Sequence, residues 1–325
     1  MFADDSLSKE NPFRRAIYLA GATASGKTAI GVSLAKKIDA EIIALDALTL
    51  YRGLDIGTAK PSVDEREGIP HHLIDVLDPW EASSVADYLS WARAAIFDIE
   101  SRGKRVLFVG GTPMYLKMLL RGLFEGPAAD PDLRQSLEAV ADRSSDVALL
   151  ERLFLVDPKT ATRLHVNDRR RIIRALEVHI LTGRPLSEFQ TEHDRPAEGV
   201  AAFAIDRDVA ELRSRIDRRV LTMFDLGLLD EVRRLLSLPY PLSATSSQAV
   251  GYRESIDHIS GRCSLAETIS LIQARTRQFS KRQRTWFRSL SEVSPLPVAD
   301  SEFSVSIAER LVEKLRTNRF VRPFA

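Results

Sequence analysis

The chain has 325 residues, a formal net charge of +1, and 44% hydrophobic and 28% charged residues. That is an ordinary globular composition, long enough for two domains or for one domain with an insertion. It excludes a surface coated in basic charge and a membrane-length apolar run, and the single cysteine, Cys263, excludes an internal disulfide or a cysteine-based metal cage.

The segment Met1 to Asn11 is polar and lacks the apolar core of a secretory signal. A frayed tail and a cytoplasmic location are expected. Ala16–Ala20 reads as a strand. It runs into Gly21-Ala22-Thr23-Ala24-Ser25-Gly26-Lys27-Thr28, a full match to G-x-x-x-x-G-K-[ST], and Lys27–Ile38 follows as a helix. Such a loop closes backbone N–H groups around phosphate oxygens at a helix N-terminus. Lys27 adds a charge and Thr28 can ligate Mg²⁺, so a bound di- or triphosphate is expected. A second strand, Glu41–Leu45, ends at Asp46. There a carboxylate suits either a general base or an aspartate holding Mg²⁺ through water, and by fold analogy the base is the first reading. His71 and His72 lack a third ligand nearby and read as structural. A helix over Ser84–Arg102 and a strand over Arg105–Val109 lead to Gly110-Gly111-Thr112, where two glycines allow close approach to a ligand. The alternation predicts an α/β fold: a P-loop NTPase-like parallel sheet wound by helices, with ligands at the carboxyl edge.

From 124 to 199 the pattern is helical and reads as an inserted subdomain. The discontinuous core then spans 12–123 and 200–300, and 301–325 is a C-terminal helix or tail. After a strand at Gly199–Ile205, helices are expected over Asp208–Leu236, Ala244–Ile259 and Ser264–Leu290. Arg215 and Arg219 lie four apart on one helical face, an arrangement suited to a pyrophosphate. Arg169, Arg170, Arg171 and Arg174 form a second basic cluster. Leu271 to Arg288 holds six basic residues and no acid, which points to nucleic acid. Arg277, Lys281, Arg284 and Arg288 make one stripe of that helix and Phe279, Gln283, Trp286 and Leu290 another.

Taken together these motifs resemble the tRNA dimethylallyltransferase family, also called tRNA isopentenyltransferases or IPP transferases, over about Arg15 to Arg288. The phosphate loop, Tyr51–Pro61, Pro70–Asp75, Gly110-Gly111-Thr112, Asn167-Asp168, Val250-Gly251-Tyr252 and Lys281–Arg288 fall in the family's order. The resemblance implies transfer of a dimethylallyl group from dimethylallyl diphosphate to the exocyclic amine of an adenosine. That adenosine lies immediately 3′ of the anticodon, in tRNAs reading codons that begin with U. It further implies Asp46 as base, Thr112 as a positioning group, Arg219 as a pyrophosphate clamp, and Lys27 and Thr28 on phosphate and Mg²⁺. RNA contacts are implied for Asp46, Ala47, Leu48, Thr49, Thr112, Arg134, Arg170, Arg171, Arg174, Gly251, Tyr252, Lys281, Arg282, Gln283, Arg284, Trp286 and Arg288. A monomer that avoids membranes is expected. Ala47, Thr49 and Pro113 depart from the family's usual Ser, Gln and Gly. Two other readings share the same residues: an ATP-dependent small-molecule or nucleoside kinase, and a non-enzymatic nucleotide switch or RNA-binding module. The absence of Asn-Lys-x-Asp disfavours a guanine switch.

Overall fold

The computed structural model describes residues 11–122, 126–193 and 195–317. Most of the expected N-terminal tail and the last eight residues lie outside that range. The chain divides into two compact units, one of Met1–Leu120 with Pro196–Ala325, the other of Arg121–Arg195.

The first unit is built on a six-stranded sheet in the order β3-β2-β4-β1-β5-β6. The strands are β1 (Ile17–Gly21), β2 (Ala40–Leu45), β3 (His71–His72), β4 (Arg105–Gly110), β5 (Ala201–Asp206) and β6 (Ser294–Pro297). Every neighbouring pair is parallel. Parallel strands need crossovers, and helices supply them on both faces, which is why the strands are apolar on both sides. On one face Ile17, Leu19, Leu107 and Phe203 pack against Ile30 and Leu34 of the helix Lys27–Ile38 and Ile307 and Leu311 of Ser304–Thr317. On the other, Tyr18, Ile43, Phe108 and Ala202 meet Tyr88, Leu116, Val220, Val232 and Phe287. The segment after residue 300 is therefore part of the core, because its helix buries Ile307, Ala308, Leu311 and Leu315.

Strands β3 and β6 were not expected; two and four residues are too short to show a period. Two expected helices are each broken in two. Val209–Asp225 and Leu228–Leu236 are separated at Gly227 (φ +93°), and Ala244–Ser247 and Tyr252–Ile259 at Gly251 (φ +97°). A positive φ that glycine tolerates interrupts the helical hydrogen bonding at both points.

The second unit is all helical: Pro131–Arg143, Asp146–Val156, Arg169–Thr182 and Leu186–His193, with a single turn at Pro158–Ala161. Leu137, Leu149, Leu153, Ile172, Leu176 and Phe189 form its core. Buried Asp157 caps two helices, accepting from Thr160 N and Ser187 N at 3.0 and 2.9 Å.

Candidate active site

Strand order puts three loops side by side at the carboxyl edge of the first unit's sheet. β1 runs into the phosphate loop, β2 into Asp46, and β4, between them, into Gly111-Thr112. The strands approach closely here. A Cβ on Gly110 would lie 2.0 Å from the Leu45 carbonyl oxygen, so no larger residue fits. The Leu45 carbonyl accepts from Gly111 N (3.0 Å) and Thr112 N (3.1 Å), and Thr112 Oγ1 accepts from Ala47 N at 3.2 Å. Asp46 Oδ1 accepts from Leu48 N at 2.9 Å, which orients the carboxylate.

Lys27 lies in the first turn of its helix, and its ammonium reaches toward the glycine loop. A Cβ on Gly111 would sit 3.4 Å from Lys27 Nζ. Burial pulls its pKa down to about 8; Asp46 raises it and Arg219 lowers it. The charges of Asp46 and Arg219 thus both act on Lys27. Burial, and then the neighbouring Arg215, also pull the pKa of Arg219 down. Buried cations gathered beside a phosphate loop suit an anion. Arg219 makes no hydrogen bond or ion pair among the described residues, and with Ala24, Arg215, Arg218 and Thr222 it lines a cleft of about 290 Å³.

Arg215 has a different task from the one its spacing suggests. Its Nε donates to the Ala24 carbonyl at 2.9 Å and Nη1 to Asp300 at 3.1 Å. Arg207, 6% exposed, donates from Nε to the Ser25 carbonyl at 2.7 Å. The two guanidiniums tie down the carbonyls of the phosphate loop while Ala24 and Gly26 hold positive φ. Sequence reasoning missed Arg207. The signal available was an arginine directly after β5, the strand beside β1.

Thr28 has no hydrogen-bond partner for its hydroxyl among the described residues, and Ser25 Oγ is buried without one. No group of three or more His, Cys, Asp or Glu among the described residues could hold a metal. A hard cation retained mainly by phosphate oxygens and one hydroxyl is compatible with that set, and Mg²⁺ binds in this way.

Several residues expected to meet RNA are engaged inside the protein. Gln283 is 3% exposed and Tyr252 is fully buried. The Tyr252 hydroxyl donates to Glu231 at 2.6 Å, and the same buried carboxylate accepts from the amides of Asp55, Ile56 and Gly57. This network shapes the loop Tyr51–Pro61. Gly251 N donates to buried Glu254. Arg284 and Arg288 pair with Asp206 at 3.2 and 3.1 Å, and Arg277 pairs with Asp217. The stretch Leu271–Arg288, which holds no acid of its own, is thus partly neutralised by acids from other elements. Lys281, Arg282 and Trp286 are exposed, with the Arg282 guanidinium over the Phe279 ring. Ala47 and Leu48 are half-buried, and Thr49 is buried with its hydroxyl unpartnered. In the helical unit, fully buried Glu177 takes both Arg134 Nε and Nη2 at 2.9 Å and Arg174 Nη1 at 2.6 Å. Arg170 and Arg171 are exposed; Arg171 lies 3.8 Å from Asp168. His72 faces Glu41 and His71 the Ile69 carbonyl, both structural contacts.

Fold and site together define a P-loop-type α/β enzyme whose cradle faces a carboxylate. Comparison with known proteins narrows this. The family model "IPP transferase" matches residues 49–290 and "Isopentenyl transferase" matches residues 15–76. The chain is 46% identical over 289 residues to the tRNA dimethylallyltransferase of Geobacter metallireducens, covering 88% of this chain and 93% of that one. Among solved structures, the tRNA isopentenylpyrophosphate transferase of Bacillus halodurans matches with a TM-score of 0.70 at 36% identity, over 94% of this chain and 97% of the other. A eukaryotic dimethylallyltransferase, solved in snapshots acting on tRNA, matches with a TM-score of 0.79 at 27% identity, over 95% and 80%. The chain belongs to the IPP transferase family.

Proposed function

We propose that this protein transfers a dimethylallyl group from dimethylallyl diphosphate to the N6 amine of the adenosine immediately 3′ of the anticodon, in tRNAs that read codons starting with U, releasing diphosphate. The observation that carries the reading is the juxtaposition of Lys27, Arg219 and Asp46 at one sheet edge in a chain of this family. The adenine amine is a weak nucleophile because its lone pair is delocalised. Asp46 would take its proton as the new C–N bond forms. The diphosphate gathers negative charge as the C–O bond breaks. Lys27, Arg219 and those phosphate-loop amides not already bonded within the protein, as Thr23 N and Ser25 N are, would stabilise that charge from fixed positions. Bound beside Thr28, Mg²⁺ would neutralise further phosphate charge. Thr112, through its bond to Ala47 N, would hold the Asp46 turn in place.

The target base must leave its stack to reach Asp46. Exposed Lys281, Arg282, Trp286, Arg170 and Arg171 are the candidates for holding the RNA. The same reading puts the enzyme in the cytoplasm as a monomer. No helix among the described residues is long and apolar enough to cross a membrane. The relatives' names give no support to the kinase reading. The test is to incubate the protein with dimethylallyl diphosphate, Mg²⁺ and unmodified tRNA, then digest and weigh the nucleosides. An adenosine heavier by one five-carbon prenyl unit is expected. ATP-dependent phosphorylation of a small molecule, with no such nucleoside, would overturn the reading.

A further inference from the structure

We infer that Gln283 is a positioning residue that fixes the distance between the diphosphate cradle and the catalytic carboxylate; this rests on the function proposed above. Its side-chain amide lies between two loops. Oε1 accepts from Thr23 N in the phosphate loop at 2.9 Å, and Nε2 donates to the Gly111 carbonyl at 2.6 Å. The two contacts fix the amide's orientation, since turning it over would set donor against donor and acceptor against acceptor. The side chain is 3% exposed, so water cannot replace either bond. A Cβ on Gly111 would lie 2.7 Å from Gln283 Nε2, 3.3 Å from the Gly21 carbonyl oxygen and 3.4 Å from Lys27 Nζ, so both loops, the lysine and the glutamine converge there.

From Gln283 a continuous chain of bonds leads to the base. Gly111 N and Thr112 N donate to the Leu45 carbonyl, and Thr112 Oγ1 accepts from Ala47 N, next to Asp46. Thr23 is thereby connected to the Asp46 turn through a single side chain. That side chain comes from the helix Leu265–Arg288, whose other face exposes Lys281, Arg282 and Trp286. One helix therefore sets the cradle with its buried face while presenting cations outward. A carboxylate held at the wrong distance from the leaving group loses rate sharply, since displacement of about 1 Å can cost on the order of 100-fold. Gln283 is buried with both amide groups engaged by the two loops, so its loss should act on turnover and leave RNA binding intact.

The experiment compares Gln283→Met and Gln283→Glu with the unaltered enzyme in prenyl transfer, with kcat and the KM for tRNA measured across pH. Methionine keeps the length and makes neither bond. An ionised glutamate keeps the acceptor for Thr23 N but turns an oxygen lone pair on the Gly111 carbonyl. Protonated, it regains one donor and one acceptor. The expected result is a kcat reduced at least about tenfold in Gln283→Met with the KM for tRNA within about threefold. Gln283→Glu should recover toward the unaltered enzyme as pH falls, while Gln283→Met does not. That recovery is a comparison within one folded protein, so it stands even where methionine perturbs folding. A kcat near the unaltered value in Gln283→Met, or a loss confined to the KM for tRNA, overturns the inference while leaving the proposed reaction standing. An unaltered enzyme that makes no prenylated adenosine overturns both.

Discussion

The sheet unit and the helical unit both carry clustered arginines, and the two clusters meet different electrostatic fates. In Arg121–Arg195, Arg134 and Arg174 converge on the fully buried Glu177, and Arg169 pairs with Asp142 at 2.6 Å and Asp146 at 2.5 Å. Burial pushes the Glu177 carboxyl up, and the two arginines more than reverse this, holding it below its ordinary value. In the sheet unit Arg207 and Arg215 are also internal, bonded to loop carbonyls. Arg219 is different. It makes no hydrogen bond or ion pair among the described residues, feeling Glu65 only as an unpaired charge, and it lowers the pKa of Lys27 through like-charge repulsion. A charge cluster whose members pair with one another is architecture; an arginine unpaired beside a phosphate loop is suited to an anion.

This contrast can be broken at either end. Asp46→Asn should have the largest effect on chemistry, lowering single-turnover prenyl transfer by on the order of 10²–10⁴-fold while tRNA binding, measured by filter retention, largely survives. Transfer near the unaltered rate would remove Asp46 from its role. Glu177→Ala should act on stability. Its arginine partners are 39% and 29% exposed in their side chains, so part of the pairing energy is screened by solvent. A loss of about 2 kcal/mol is expected, below the usual cost of breaking a fully buried pair, and hydrogen exchange across 126–193 would show it. Unchanged protection there would mean that Glu177 is not what holds Arg134 and Arg174.

How much of this was legible beforehand follows the range of the signal. The phosphate loop, Asp46 and Gly110-Gly111-Thr112 each sit directly after an apolar run, so spacing along the chain located them. The helical character of 124–199 was equally local. The faces of the later helices were not. Gln283 and Tyr252 share helical spacing with exposed neighbours, and only packing decides that Gln283 turns inward to Thr23 and Tyr252 to Glu231. The acids that neutralise Arg277, Arg284 and Arg288 come from Asp217 and Asp206, more than sixty residues earlier in all but one case. No window of sequence around the helix could display them. Arg207 went unnoticed because its partner, the Ser25 carbonyl, is a backbone atom and leaves no residue signature.

The most direct measurement of the central claim is the affinity for dimethylallyl diphosphate as pH passes through 8, by calorimetry in buffers of differing ionisation heat. The free enzyme's Lys27 has its pKa pulled down from 10.5 to about 8, whereas a bound diphosphate would stabilise the ammonium and raise it again. Binding should therefore take up a proton above pH 8, and affinity should fall as pH rises, approaching about tenfold per unit. Lys27→Met should bind more weakly and lose that slope. An affinity independent of pH between about 7 and about 9.5, with no proton uptake on binding, would contradict the assignment of Lys27 to the diphosphate.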